Sequence, residues 1–101
     1  MRPPVPTRAA LLQALRSGGP SWGSDLIERV KKLTRGKLVL HQGGVYPTLQ
    51  ALEEEHLIEV LKDEPGPNAG RPRRYYRLTQ QGTALALTHQ SIMQQLFKES
   101  P

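Results

Sequence analysis

Arg71, Arg73 and Arg74 fall just beyond the stretch Pro65-Gly66-Pro67-Asn68-Ala69-Gly70. Guanidinium groups exposed at such a tip could grip phosphates or slip into a minor groove. A second set, Gln42, Tyr46, Pro47, Thr48 and Gln50, surrounds the apolar spacing Val45, Leu49, Leu52. Its glutamines have the amide pattern that pairs with the edge of adenine. Glu53, Glu54 and Glu55 repel phosphate, and their expected role is solvation and ion pairing with a neighbouring hairpin or a partner subunit. His41, His56 and His89 lack the i, i+4 spacing of metal ligands on one helix face. With no Cys in the chain, thiolate catalysis, disulfides and Cys-containing metal sites are excluded. No Ser/His/Asp ordering, phosphate loop or nucleotide fingerprint is present, so no catalytic residue, metal or cofactor is expected and the chain does not read as an enzyme.

The length of 101 residues suits a single domain with an arm. Only 37% of the residues are apolar and the mean hydropathy is −0.52, so a free monomer would bury a modest core and partner surface is a natural source of further burial. Fourteen Lys and Arg against nine Asp and Glu give a net charge of +5, which suits an anionic partner. Six of the nine acidic side chains lie within residues 53–64, so an anionic ligand must use the basic flanks on either side. No apolar stretch is long enough to span a bilayer, and Met1 to Pro6 lacks the apolar core of a secretion signal, which predicts a cytoplasmic protein that does not engage a membrane.

These residues need elements to position them. Three prolines in the first six residues predict an extended, disordered arm over 1–7. Ala10, Leu11, Ala14 and Leu15 predict a helix over about 8–17, stopped by Gly18-Gly19-Pro20. Ser21 or Ser24 could cap a second helix with a stripe of Leu26 or Ile27, Val30 and Leu33; Lys31, Lys32 and Arg35 near its C-terminal end suit the helix dipole. Leu38-Val39-Leu40 reads as a minimal strand. A third helix is expected over about 44–55, with Pro47 in its first turn and Gly43-Gly44 open to close approach by a phosphate; His56 should end it in a left-handed conformation. Leu57 to Asp63 and Arg73 to Thr79 read as two strands of a hairpin, Tyr76 and Leu78 on one face and Arg73, Tyr75 and Arg77 on the other. A last helix starts at Thr79-Gln80-Gln81-Gly82, with a stripe of Leu85, His89, Ile92 and Leu96 flanked by Met93 and Phe97.

The order helix, helix, short strand, helix, strand, loop, strand is that of a winged helix-turn-helix, a mostly α fold with a small β-hairpin as the wing. Residues 8–79 would form that domain and 80–101 an appended dimerisation helix. On these elements the run Gly44-Val45-Tyr46-Pro47-Thr48-Leu49-Gln50-Ala51-Leu52-Glu53-Glu54-Glu55-His56-Leu57-Ile58, followed by Gly70-Arg71-Pro72-Arg73-Arg74-Tyr75-Tyr76-Arg77-Leu78-Thr79-Gln80-Gln81-Gly82, resembles the PadR family of bacterial transcriptional regulators. The resemblance covers about residues 8–97. It departs at His56, where the family usually has Gly, at Ser24, often Tyr, and at Gly44. It implies a homodimer, joined through the last helix, that binds an inverted-repeat operator in double-stranded DNA and represses transcription until a small, often aromatic, effector loosens it.

On this reading Gln42, Gly44, Tyr46, Pro47, Thr48, Gln50, Arg71, Arg73 and Arg74 contact DNA. Leu85, His89, Ile92, Met93, Leu96 and Phe97 form the dimer interface. Trp22 is either a core or hinge anchor or, with Phe97, part of an effector pocket. The alternative function is a winged-helix protein–protein interaction module with weak or no DNA binding.

Overall fold

Leu11 and Leu12 are both fully buried, although neighbouring residues on a helix point about 100° apart. Both can be covered because the first helix, α1 (Thr7–Gly18), is packed on several sides at once, by α2 (Gly23–Leu33), α3 (Gln42–Glu54), β2 (Arg73–Leu78) and α4 (Gln80–Glu99). The remaining element is β1 (Ile58–Glu64), paired with β2 in an antiparallel two-stranded sheet. In the computed structural model, residues 7–64 and 73–99 are described, with Glu64 and residues 97–99 described through their backbone only. The expected stripe of Ala10, Leu11, Ala14 and Leu15 is buried, and Leu12 joins it. Thr7, expected in the arm, is the first residue of α1; the rest of the arm, the wing loop 65–70 and Arg71 lie outside the described residues.

The core closes around α1 with Leu26 and Val30 from α2, Val45, Leu49 and Leu52 from α3, and Ile58, Tyr76 and Ala86 from the hairpin and α4. Leu33, expected in the α2 stripe, is 55% exposed, because it is the last helical residue and lies beyond the cover given by α1. Neither serine caps α2. Trp22 occupies the N-cap without a side-chain bond, while the Ser21 hydroxyl donates to the Asp25 carboxylate one turn into the helix. That carboxylate also pairs with Arg29 at 3.1 Å, and Arg29 donates to the carbonyls of Ala14 at 3.0 Å and Gly19 at 2.8 Å. A cation therefore satisfies carbonyls at the C-terminal end of α1, where the helix dipole also favours it.

The minimal strand expected at Leu38-Val39-Leu40 does not form. The free edge of β2 is bridged by Ser21, whose amide donates to the Tyr76 carbonyl at 3.1 Å and whose carbonyl accepts from the Tyr76 amide at 2.8 Å. Leu40 instead serves the core as a single buried side chain. The hairpin register pairs Ile58 with Leu78 and Val60 with Tyr76, then slips by one residue between Val60 and Lys62, so that Lys62 faces Tyr75 and Asp63 faces Arg74. Leu61 is the bulged residue and is exposed. An unbulged register would set Lys62 opposite Arg74, a like-charge pair that costs stability.

His56 has φ +61° and turns the chain from α3 into β1, as expected. Its carbonyl accepts the Thr79 hydroxyl at 2.6 Å, and the same Thr79 oxygen accepts the Gly82 amide at 3.0 Å, so Thr79 caps α4 while tying it to the α3–β1 turn. Gly82 is buried, and a Cβ at that position would collide with the Leu57 carbonyl. The Thr-x-x-Gly spacing is thus the condition for α4 to lie against the turn. Farther along, the Gln13 side-chain amide donates to the Ala86 carbonyl at 2.6 Å, holding α4 to α1.

Candidate nucleic-acid interface

Val45, Leu49 and Leu52 bury one side of α3, which leaves Gln42, Tyr46, Pro47 and Gln50 exposed on the other and Thr48 half-buried. The helix begins two residues earlier than its apolar spacing suggests. His41 is the N-cap, and its carbonyl accepts from the amides of Gly44 and Val45, both at 2.9 Å. Gly44 therefore spends its N–H within the helix, and the amides at the open end are those of Gln42 and Gly43. Pro47 accordingly falls in the second turn rather than the first. The Gly43 carbonyl, left without the N–H that proline lacks, belongs to an exposed residue and can be solvated. A Cβ on Gly43 or Gly44 would meet nothing within 4 Å, so no internal packing demands either glycine, and their bareness faces outward. Thr48 turns its hydroxyl back to the Gly44 carbonyl at 2.6 Å.

Tyr46 is 41% exposed, yet one side of its ring rests on α2: a Cβ on Gly23 would lie 2.6 Å from the ring. Gly23 thereby lets α3 approach the start of α2, and Tyr46 presents its remaining edge to the outside.

The wing carries its cations in an order that the sequence does not reveal. Arg74 donates to Asp63 at 3.2 Å and Arg77 to Glu59 at 2.9 Å, both cross-strand pairs, the first set opposite by the register beyond the bulge and the second by the register before it. Lys62 lies 4.8 Å from the centre of the Tyr75 ring, and Arg73 lies 4.8 Å from that of Trp22. The two aromatic rings meet at 5.0 Å and 57°. Arg73, Trp22, Tyr75 and Lys62 thus form one ladder along the outer face of β2, with two aromatic rings in the middle and a cation at each end. Trp22 belongs to this ladder. Asp25 and Arg29, which with Ser21 hold the neighbouring backbone, carry no apolar periodicity in the sequence; only their i, i+4 spacing hints at their pairing.

Of the three consecutive carboxylates, Glu55 reaches α1, accepting two bonds from Arg8 at 2.7 and 2.8 Å. The Arg8 guanidinium holds the Glu55 carboxyl below its ordinary range by hydrogen bonding. Its partner is on neither the wing nor a second subunit, because the end of α3 lies against the start of α1. Glu53 is close enough to Arg74 and Tyr76 to act on both electrostatically, and burial is the main cause of a raised Tyr76 hydroxyl pKa.

On α4, Leu85 and His89 are half-buried, whereas Ile92, Met93 and Leu96 are exposed. The Phe97 side chain lies outside the described residues. The stripe is continuous, but the domain covers only its first half. No cluster of three His, Asp or Glu side chains able to hold a metal ion occurs among the described residues, and no described helix is long and apolar enough to cross a membrane.

Residues 11–87 match the model of the transcriptional regulator PadR-like family. The chain belongs to this family. A curated relative, the transcriptional regulator YqjI of Escherichia coli K12, is 35% identical over 75 residues, which are 74% of this chain and 33% of that protein; the chain thus spans about a third of its length. Among solved structures, a PadR-like transcription factor from Bacteroides fragilis superposes with a TM-score of 0.68 at 26% identity, covering 89% of this chain and 82% of the other. A PadR family regulator from Clostridium difficile gives 0.71 at 21% identity, with 90% and 91% covered. PadR of Bacillus subtilis, solved with operator DNA, gives 0.70 at 22% identity, with 86% and 47% covered. The four helices and hairpin of this chain are the winged helix of those PadR structures.

Proposed function

We propose that this chain is a homodimeric DNA-binding repressor, working in the cytoplasm on chromosomal DNA. Each protomer lays the N-terminal half of α3 in the major groove of an inverted-repeat operator and sets its wing on the flanking backbone. The observation that carries this reading is the division of α3, with Val45, Leu49 and Leu52 buried and Gln42, Tyr46, Pro47 and Gln50 exposed. Its carboxylates are confined to the far end, so the helix can approach phosphates only with its amide end first. The Bacillus subtilis PadR structure, solved with operator DNA, supports DNA as the partner.

The dimer reading rests on α4, where Ile92 is 52% exposed and Leu96 61% exposed in line with side chains that pack on the domain. A second copy bringing the same stripe is a self-complementary cover for them. A small effector that loosens the dimer would have its site along that α4 seam, since Trp22 is engaged with the wing.

Footprinting on the DNA upstream of the protein's own gene tests the operator reading. Two protected half-sites with centres about one helical turn or a multiple of it apart are expected. Sedimentation tests the dimer: Ile92→Glu with Leu96→Glu should give folded monomers with little operator affinity. A dimer that shows no preference among DNA sequences would instead make the chain a protein-interaction module.

A further inference from the structure

The cations on the described part of the wing differ in what they have left to offer. Arg74 and Arg77 each commit Nε to a cross-strand carboxylate, Asp63 and Glu59 respectively. Arg73 has no ion pair with a described carboxylate side chain, its register partner being Glu64, of which only the backbone is described; its guanidinium lies over the Trp22 ring. A guanidinium held against an aromatic face keeps its five N–H donors in its own plane, so the contact orients the charge and strips part of its water without consuming a donor. The ring is held in place by its neighbours. Ser21, just before it, is hydrogen-bonded in both directions to Tyr76, the tilted Tyr75 ring packs against it at 5.0 Å, and Gly23, just after it, lies under the ring of Tyr46. Residues 21–23 consequently join three things in succession: the edge of the wing, the cation on its outer face, and the helix that carries Gln50.

We infer that Trp22 is a positioning residue that presents Arg73 to the DNA backbone, and that Arg73, rather than Arg74 or Arg77, is the phosphate-binding cation of the wing stem. The inference rests on the DNA-binding reading and adds to it a division of labour among the arginines. Arg74 and Arg77 each hold a carboxylate on Nε, so a phosphate approaching either one meets a cation whose charge is already partly offset.

The test is the salt dependence of binding to an unrelated duplex and to the footprinted operator, with thermal melting of each variant as a check on folding. Arg73→Ala should lower the log–log slope by about 0.9, the value for one lost phosphate contact. Trp22→Ala should lower it similarly, Trp22→Phe should restore it, and the double variant Trp22→Ala with Arg73→Ala should lose no more than either single one. Arg74→Ala should leave the slope unchanged. Because Trp22 is the only Trp in the chain, its emission reports on the contact directly: it should change when wild type is titrated with DNA and stay constant in Arg73→Ala. That readout decides the matter even if Trp22→Ala fails to fold. Additive losses in the double variant, a normal slope in a folded Trp22→Ala, or a slope that falls for Arg74→Ala and not for Arg73→Ala would each overturn the inference. A wild type that binds neither duplex at low salt would overturn the DNA reading itself, and this inference with it, before any variant is made.

Discussion

Gln50 sits one helical turn from Tyr46 on the exposed side of α3, with no partner in the described hydrogen-bond network that would hold its amide back. If its carboxamide reads a base edge in two bonds, Gln50→Ala should cost about 1–3 kcal/mol on the operator and little on random DNA. Its melting temperature should stay at the wild-type value, and fluorescence anisotropy with both duplexes checks this. Gly82 is the opposite case, a residue with no surface. A methyl group there meets the Leu57 carbonyl, and a backbone oxygen cannot swing aside as a side chain can. Gly82→Ala should therefore destabilise the fold by about 1–3 kcal/mol, which for a domain of this size lowers Tm by about 4–8 °C per kcal/mol. Thermal melting is the measurement, and a variant as stable as wild type would show that α4 can shift off the turn without loss.

Between elements, the Arg8–Glu55 pair ties the first turn of α1 to the end of α3. Since Arg8 lowers the Glu55 carboxyl pKa in the folded protein, the pair's contribution is complete above the carboxyl's unfolded value and is lost as pH falls through its folded one. Wild type should melt above Glu55→Gln at neutral pH, and the two curves should converge in acid. Thermal melts across that range decide it, and a gap that persists at the lowest pH would point to packing rather than charge. The individual elements were legible because each has a local cause. Three apolar residues at helical spacing place α3, His56 sits where a left-handed residue is wanted, and alternation puts Tyr76 inward. What escaped depends on residues far apart in the chain. Ser21, and not Leu38 to Leu40, bonds to Tyr76 at the edge of the sheet, yet a serine before a tryptophan carries no strand signal. The exposed face of α3 was readable for the same reason as its buried one, whereas the partners of Arg73 and Arg74 were not. Arg74 meets Asp63 through a bulge at Leu61 that no pattern in β1 announces, and Arg73 meets Trp22, fifty-one residues away in the chain.

Across the molecule, the principal extents of 53 × 28 × 21 Å describe an elongated body, and a helix of twenty residues accounts for about 30 Å of length by itself. The first half of α4 is fixed to its own domain by the Thr79 cap, the Gly82 contact and the Gln13 bond to Ala86, while the second half leaves Ile92, Met93 and Leu96 exposed. If a second copy covers them, as proposed, one helix belongs to two bodies, and its helical phase sets the angle between them. In the proposed dimer, one alanine inserted between Gln90 and Ser91 would rotate the distal stripe by about 100° against the proximal one. Each domain should melt as before, yet the dimer should lose its grip on the natural operator. Seven inserted residues bring the stripe back to within about 20° and lengthen the helix by about 10 Å. Binding should then return on operators whose half-sites are spaced differently, as a gel-shift series over spacer length would read out. The length of α4 is then a ruler, and a family of such chains could acquire new operator spacings by whole-turn changes in one helix while every base-reading residue stays as it is.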